Sequence, residues 1–470
     1  MSGRRGWLIF GLIVFGLLSA GSPHEQQQEV ARAIRRGEFR LTPQSAVQAL
    51  RAYLNNEGDL QRYYAYCSAA LGRSYSTYYV RTTAEWRSSF AALDRREADV
   101  FPVVQPERPL VPYRDFLVEY PPGLFLVAMP LTLLSADFER FQLLFVTSMG
   151  LLLAASLLAC RALARELFGI QGVGGWLAGW GGICALLLGT IVTHRYDPVV
   201  AALLTGACWA GVRRRPAVFG LLLGLAVATK LTPLLCAPPW VLFWLRRRRL
   251  GELAIAAATG AATAAAPILP AIFAAGPALV ETLRYHRDRP LQSESTAGAL
   301  FALLGGRSVT AVFTFGSFNF VGPHLQAVLT ATTVAMVGGL ALVCALTWRR
   351  LAPEPADPGA DGRLLLRATM ATLVVFMVAG KVFSPQYLLW LLPLGLLLSV
   401  RDRLALGLFA ALCLATQLIY PVFLYDLIDM KPFALVLVLV RNALLAAWAV
   451  RIFPGPSSGP AASCSPARPS

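Results

Sequence analysis

The chain has 470 residues, 56% hydrophobic and only 14% charged, with mean hydropathy +0.57; a soluble globular protein carries about 25% charged residues, so that class is excluded. The net charge of +16 does not point to nucleic acid, because the cations sit in short connections between apolar runs, where they orient a membrane protein and touch anionic lipid heads. Cys160, Cys184, Cys208, Cys236, Cys344 and Cys413 lie in or beside apolar runs as small core hydrophobes, Cys67 and Cys464 stand alone, and no C-x-x-C spacing suggests a disulfide framework or a metal site.

In chain order, residues 1–21 read as a first transmembrane helix, uncleaved because no clean A-x-A site follows. Residues 22–135 form a long extracytoplasmic segment, and a translocated loop of that length is exempt from the charge rule. Within it, Leu117–Leu134 is apolar but carries Tyr120-Pro121-Pro122-Gly123 and Pro130. Parity decides its placement. A re-entrant or interfacial helix keeps every later arginine cluster on one side; a full crossing flips them all.

Residues 136–452 read as a multi-span bundle. Spans are expected near 139–160, 174–192 and 198–212. Residues 216–245 lie between Arg213–Arg215 and Arg246–Arg249, with Lys230 near the middle. Each half reaches only about 22 Å at 1.5 Å per residue, short of the ~30 Å hydrocarbon core, so a pair of short helices with Lys230 at the tip is expected. Further spans follow near 252–275, 323–347, 364–382, 386–400, 404–420 and 433–450. The fold class is an all-α polytopic membrane protein of about twelve spans. The linker Leu351–Gly362 is rich in Pro, Gly and Asp, and residues 453–470 read as a disordered cytoplasmic tail.

The arginine clusters Arg4–Arg5, Arg161/Arg165, Arg213–Arg215, Arg246–Arg249, Arg349–Arg350, Arg401/Arg403 and Arg451 fall on one side in this topology. The positive-inside rule makes that side cytoplasmic. The chemically suggestive residues then face outward. Of 42 Lys and Arg residues only Lys230, Lys381 and Lys431 are lysine, all near expected outer boundaries.

Asp59 heads the run Asp59-Leu-Gln-Arg-Tyr63-Tyr64-Ala-Tyr66. Such an acid can accept a proton from an attacking sugar hydroxyl, with Tyr63 lining a sugar site; a helix cap is the plainer account. Asp115 and Glu119 stand four apart before Tyr120, and on a helix they would share a face. His194-Arg195-Tyr196-Asp197-Pro198 offers a phosphate fork in Arg195 and a positioning acid in Asp197, or simply an ion pair with Pro starting a helix. Lys230 and Lys381 are ionisable groups in apolar surroundings and so functional suspects, against the alternative of snorkelling stems. Gln386 and Tyr387 open the span after Lys381. His286 and His324 fall in loop-like sequence. Arg441 lies deep in the last span and needs a partner, Asp426 or Asp429. No P-loop or dinucleotide fingerprint occurs, so an activated donor for an outward site would come from the membrane.

Taken together, these motifs resemble the GT-C superfamily of membrane glycosyltransferases, and within it glycosyltransferase family 87, the polyprenol-phosphate-mannose-dependent mannosyltransferases. The resemblance rests on the short first span, the early acid Asp59, E-Y-P-P-G at 119–123, R-Y-D-P at 195–198, A-T-K-L-T-P at 228–233 and S-P-Q-Y-L-L-W-L at 384–391. It implies a GT-C-like bundle that transfers a hexose, mannose in this family, from a polyprenyl-phosphate sugar donor to a lipid or glycan acceptor, with inversion. Asp59 would be the base, with Asp115 and Glu119 as alternates. Arg195, Lys230, Lys381 and His194 would meet the donor phosphate, and Tyr63, Tyr120, Asp197, Gln386 and Tyr387 the substrates. The prenyl tail would lie against the Tyr120–Leu134 segment. No metal or other cofactor is expected, and membrane lipids but no nucleic acid are the expected partners. The main rival is a transporter or lipid-linked-glycan flippase, which would place polar residues at the midplane in repeated halves; a non-catalytic assembly partner is the other, and a glycan ligase using a diphosphate donor is a close relative within the glycosyltransferase class.

Overall fold

The computed structural model describes residues 58–82, 102–351 and 359–453. The expected first span, the stretch before Asp59, the centre of the Pro-rich linker and the tail beyond Phe453 lie outside the described residues. The helices are α1 Gly58–Ala70, α2 Gly123–Leu133, α3 Phe138–Phe168, α4 Gly174–Leu188, α5 Asp197–Val212, α6 Pro216–Thr229, α7 Ala237–Arg246 and α8 Leu250–Ala275. They continue as α9 Val280–Asp288, α10 Thr296–Gly305, α11 Leu325–Arg350, α12 Ala360–Ala379, α13 Leu388–Ser399, α14 Arg403–Gln417, α15 Leu424–Ile428 and α16 Pro432–Ile452. Strands are few: β1 Tyr75–Ser76 pairs β2 Val103–Val104, and β3 Leu291–Gln292, β4 Thr310–Thr314 and β5 Ser317–Val321 form an antiparallel sheet in the order β3-β5-β4.

Among the described residues six helices are long and apolar enough to cross a membrane, and five shorter apolar helices accompany them. Helix α8 exposes Ile255, Leu269, Ile272 and Phe273, the last 84% accessible. A helix apolar on its outward side has lipid as its natural solvent. The ends follow local chemistry. Asp137 caps α3 by accepting from the Arg140 N–H at 2.8 Å, and Gly169 closes it at φ 64°. Asp402 caps α14 through the Leu404 and Ala405 N–H groups.

Helices α6 and α8 pack backbone to backbone. A Cβ on Gly220 would sit 2.2 Å from the Ala256 carbonyl oxygen, and one on Gly224 would sit 2.3 Å from that of Gly260. This is the small-residue spacing by which helices in lipid approach closely.

The arginine-rich connections gather at one end of the bundle. Arg213 pairs with Glu166, Arg247 with Asp361 at 2.6 Å and Arg451 with Asp402 at 2.6 Å. Arg363 donates to the Leu167 carbonyl at 2.6 Å and Arg401 to that of Phe168 at 2.9 Å. The opposite ends of α5, α6, α12 and α13 carry Asp197, Lys230, Lys381 and Tyr387.

The segment 117–134 has no regular structure before Pro122, with a bend at Glu119 and Tyr120, and is helical only from Gly123. Pro121 and Pro122 remove two backbone donors and push the preceding residue toward extended backbone. Asp115 and Glu119 therefore do not share a helix face, contrary to the expectation. At 11 residues, α2 is about 16 Å long, too short to cross. Residues 276–322 carry regular structure where the sequence reads as loop: His286 lies on α9, α10 follows, and β3, β4 and β5 form the sheet.

Candidate functional site

At the end away from the arginine-rich turns, one cavity of about 580 Å³ is lined by Asp59, Glu119, Tyr120, Arg195, Lys230, Lys381, Gln386 and Tyr387. Arg62, Arg289, Glu294 and Tyr420 also line it, as does the β4–β5 hairpin tip at Phe315-Gly316.

Asp59 sits in the first turn of α1, where a helix N-terminus favours a carboxylate. Its Oδ2 lies 2.6 Å from Arg195 Nη1 and accepts from the Tyr63 hydroxyl at 3.4 Å. Arg62, one turn along, lies 3.7 Å away. Burial alone would raise the Asp59 carboxyl, but Arg195, Arg62 and Lys230 together outweigh it and hold the group below its ordinary value. It is an ionised acid in a pocket of cations. Tyr63 is buried beneath it, edge-on to Tyr120 and Tyr196.

Glu119 is 4% exposed and accepts from Arg62 Nη1 at 2.6 Å and from the Tyr66 hydroxyl. Its backbone carbonyl lies 2.8 Å from His286 Nε2. Arg62 thus spans Asp59 and Glu119 and fixes their relation.

Lys230 caps α6 in extended conformation (φ −149°, ψ 137°), at the turn of the α6–α7 hairpin. Its ammonium donates to Asp197 Oδ1 at 2.6 Å and lies 4.9, 5.4 and 5.0 Å from the ring centres of Tyr196, Tyr387 and Trp390. Asp197 is 1% exposed and also accepts from Trp390 Nε1 at 2.7 Å. It stands behind Lys230, outside the cavity wall. In place of the local Arg195–Asp197 pair offered as the plain account of the R-Y-D-P motif, the pairs run across elements: Asp197 takes Lys230, and Arg195 takes Asp59.

Lys381 donates to the carbonyls of Arg287 and Arg289 at 2.7 and 2.8 Å. Gln386 and Tyr387 follow in the short turn before α13, where Tyr387 stacks on Trp390 at 4.3 Å.

Besides Tyr63 and Asp197, two more expected residues do not line the cavity. Asp115 does not line the cavity. It accepts from Arg108 at 2.8 Å, Arg114 at 3.1 Å and the Val111 N–H at 2.8 Å, and the Arg108 bond above all holds it well below the usual carboxylate range. It serves a turn. His194 is 3% exposed behind the wall, its Nδ1 3.2 Å from Thr193 Oγ1. Arg441 is corrected too. Asp426 pairs with Lys431, whereas Arg441 donates to the Glu294 carbonyl and lies 3.8 Å over the Phe383 ring.

Sequence reading gave no role to Arg62, Arg289, Glu294 or Tyr420. Arg62 carried a signal, its spacing of three from Asp59 on a helix. Glu294 and Tyr420 sit in irregular backbone far along the chain and carried none.

Gly123 joins two of the motifs. A Cβ there would lie 2.4 Å from the Ala228 carbonyl, directly under the Lys230 hairpin. Gly123→Ala is expected to cost about 1–3 kcal/mol by overpacking and to lower the melting temperature of the detergent-solubilised protein. An unchanged melting temperature would mean that the contact is slack.

Among the described residues no group of three or more His, Cys, Asp or Glu side chains is placed to hold a metal ion. Residues 116–385 match the profile of glycosyltransferase family 87. That stretch includes Glu119, Arg195, Lys230 and Lys381 and begins after Asp59. No curated protein matches the chain.

Proposed function

This chain belongs to glycosyltransferase family 87, a family of GT-C-type membrane glycosyltransferases, and we propose that it transfers a hexose, mannose by the family likeness, from a polyprenyl-monophosphate donor to a lipid or glycan acceptor. The reaction runs at the extracytoplasmic face and inverts the configuration at C1. The positive-inside rule supports that sidedness, because the arginine-rich turns share the end opposite the cavity.

The observation that carries the reading is the contact between Asp59 and Arg195 at 2.6 Å inside a cavity that also holds Lys230 and Lys381. An acid and the cations for a phosphate are thereby neighbours. The acceptor hydroxyl attacks C1 as Asp59 takes its proton. The C1–O bond to phosphate breaks, its electron pair goes to the phosphate oxygen, and the leaving group gains negative charge. Arg195, Lys230 and Lys381 stand where that charge develops, and preorganised cations in a water-poor site are the largest contribution such a protein makes. A monophosphate leaving group neutralised in this way requires no metal. Glu119, tied to Arg62 and Tyr66, holds the acid's surroundings in place. Tyr120, Gln386 and Tyr387 are left to orient sugar and phosphate, and the tail rests on apolar helices beside the cavity.

The test is direct. Protein purified into lipid nanodiscs is incubated with polyprenyl-phosphate mannose, polyprenyl-phosphate glucose and a polyprenyl-diphosphate sugar, with total membrane lipid as acceptor, and the products are identified by mass spectrometry. Transfer from a monophosphate donor is expected. Transfer from the diphosphate alone would overturn the donor assignment.

A further inference from the structure

We infer that Glu294 hydrogen-bonds a hydroxyl of the transferred sugar and so helps to set which sugar is accepted; the inference rests on the function proposed above. Glu294 lies between β3 and the N-cap of α10. It is 4% exposed, yet it lines the cavity. Among the described residues its Oε2 has no hydrogen-bond partner. A buried carboxyl oxygen is normally satisfied, because leaving it unmade carries the full desolvation cost.

The local fold does not use this side chain. Ser295 caps α10 by accepting from the Gly298 N–H at 2.9 Å and itself donates to the Gln292 carbonyl at 2.7 Å. Arg441 grips the Glu294 backbone carbonyl rather than its carboxylate. Backbone and neighbours hold the turn without the carboxyl, and the residue forms part of the cavity wall.

The chemistry selects the ligand class. A carboxyl repels a phosphate, so the donor's leaving group is excluded. A sugar hydroxyl can donate to the ionised form or accept from the protonated one. Burial pushes the Glu294 carboxyl up to about 7 against the pull of Arg441, Arg289 and Arg195, so either form is accessible near neutrality. Sites built to bond a hydroxyl reject analogues lacking it more strongly than apolar pockets reject bulk.

The experiment measures affinity of the wild type, Glu294→Ala and Glu294→Gln in nanodiscs for polyprenyl-phosphate mannose and its 2-, 3-, 4- and 6-deoxy analogues. No acceptor is needed. The wild type is expected to lose about ten- to a hundred-fold affinity for one analogue, the range of a hydrogen bond to a charged group. Glu294→Ala should lose a similar factor for the parent donor and no longer distinguish that analogue. Glu294→Gln, similar in size and able to bond, should retain part of the discrimination even if the alanine variant fails to fold. One common factor for all five ligands, or no change in either variant, overturns the inference. Failure of the wild type to bind polyprenyl-phosphate mannose would instead overturn the proposed donor, and the sugar contact with it.

Discussion

Asp59→Asn is expected to lower the rate of sugar transfer by about 10²–10⁴-fold, the usual worth of a positioned general base, without weakening donor binding, because the carboxylate that competes with phosphate for Arg195 is gone. The substitution keeps the shape but removes the proton acceptor. It also tests a tension in the site. Arg195 and Arg62 hold Asp59 below its ordinary carboxylate value, which makes it a weak base while the cavity is empty of phosphate. In the proposed cycle the donor phosphate competes for Arg195, and Asp59 regains basicity as the substrate arrives. A rate within a few-fold of wild type in Asp59→Asn would remove it as base and leave Glu119 as the remaining cavity carboxylate tied to Arg62.

Lys230→Met is expected to have the largest effect on stability. Asp197 is 1% exposed and would keep only the Trp390 N–H. Breaking a buried pair on one side costs about 3–5 kcal/mol because the other charge is left uncompensated. The double variant Lys230→Met/Asp197→Asn should regain most of that stability, since no bare carboxylate remains. Donor binding should stay weak in both. Melting temperature and donor affinity, measured on the two variants, separate the structural role from the functional one. If the double variant binds the donor as wild type does, Lys230 only neutralises Asp197.

The membrane class and the hairpin at 216–245 were legible because both rest on coarse physics, hydropathy and the length of a helix against a bilayer. Lys230 could be placed at a tip by arithmetic alone. What the sequence concealed was pairing across distance. Arg195 and Asp197 are two apart and invited the reading of a local ion pair. In the fold, α5 begins between them, so they turn to different partners, 136 positions away for one in sequence terms of Asp59 and Arg195 and 33 for the other. Asp115 and Glu119 looked equivalent by spacing, but Asp115 closes a turn with Arg108 and Val111 while Glu119 meets Arg62 and Tyr66 at the cavity. The strands β4 and β5 are too short for a periodic signal, although Phe313, Phe318 and Phe320 and the turn at Phe315-Gly316 carried a faint one. Glu294 had no sequence mark at all, because an unpartnered oxygen is a property of packing.

The half-depth hairpin has a consequence for how a greasy substrate travels. Helix α6 has 14 residues, about 21 Å, short of a ~30 Å hydrocarbon core, so in a bilayer with the arginine turns at one surface the ammonium at its end would lie below the opposite head groups. A carrier lipid arriving from the side would bring its phosphate to that charge by sliding along the leaflet, its chain never leaving oil. The step most soluble enzymes need, lifting the reactant out of its solvent, would be replaced by a local dimple in the bilayer.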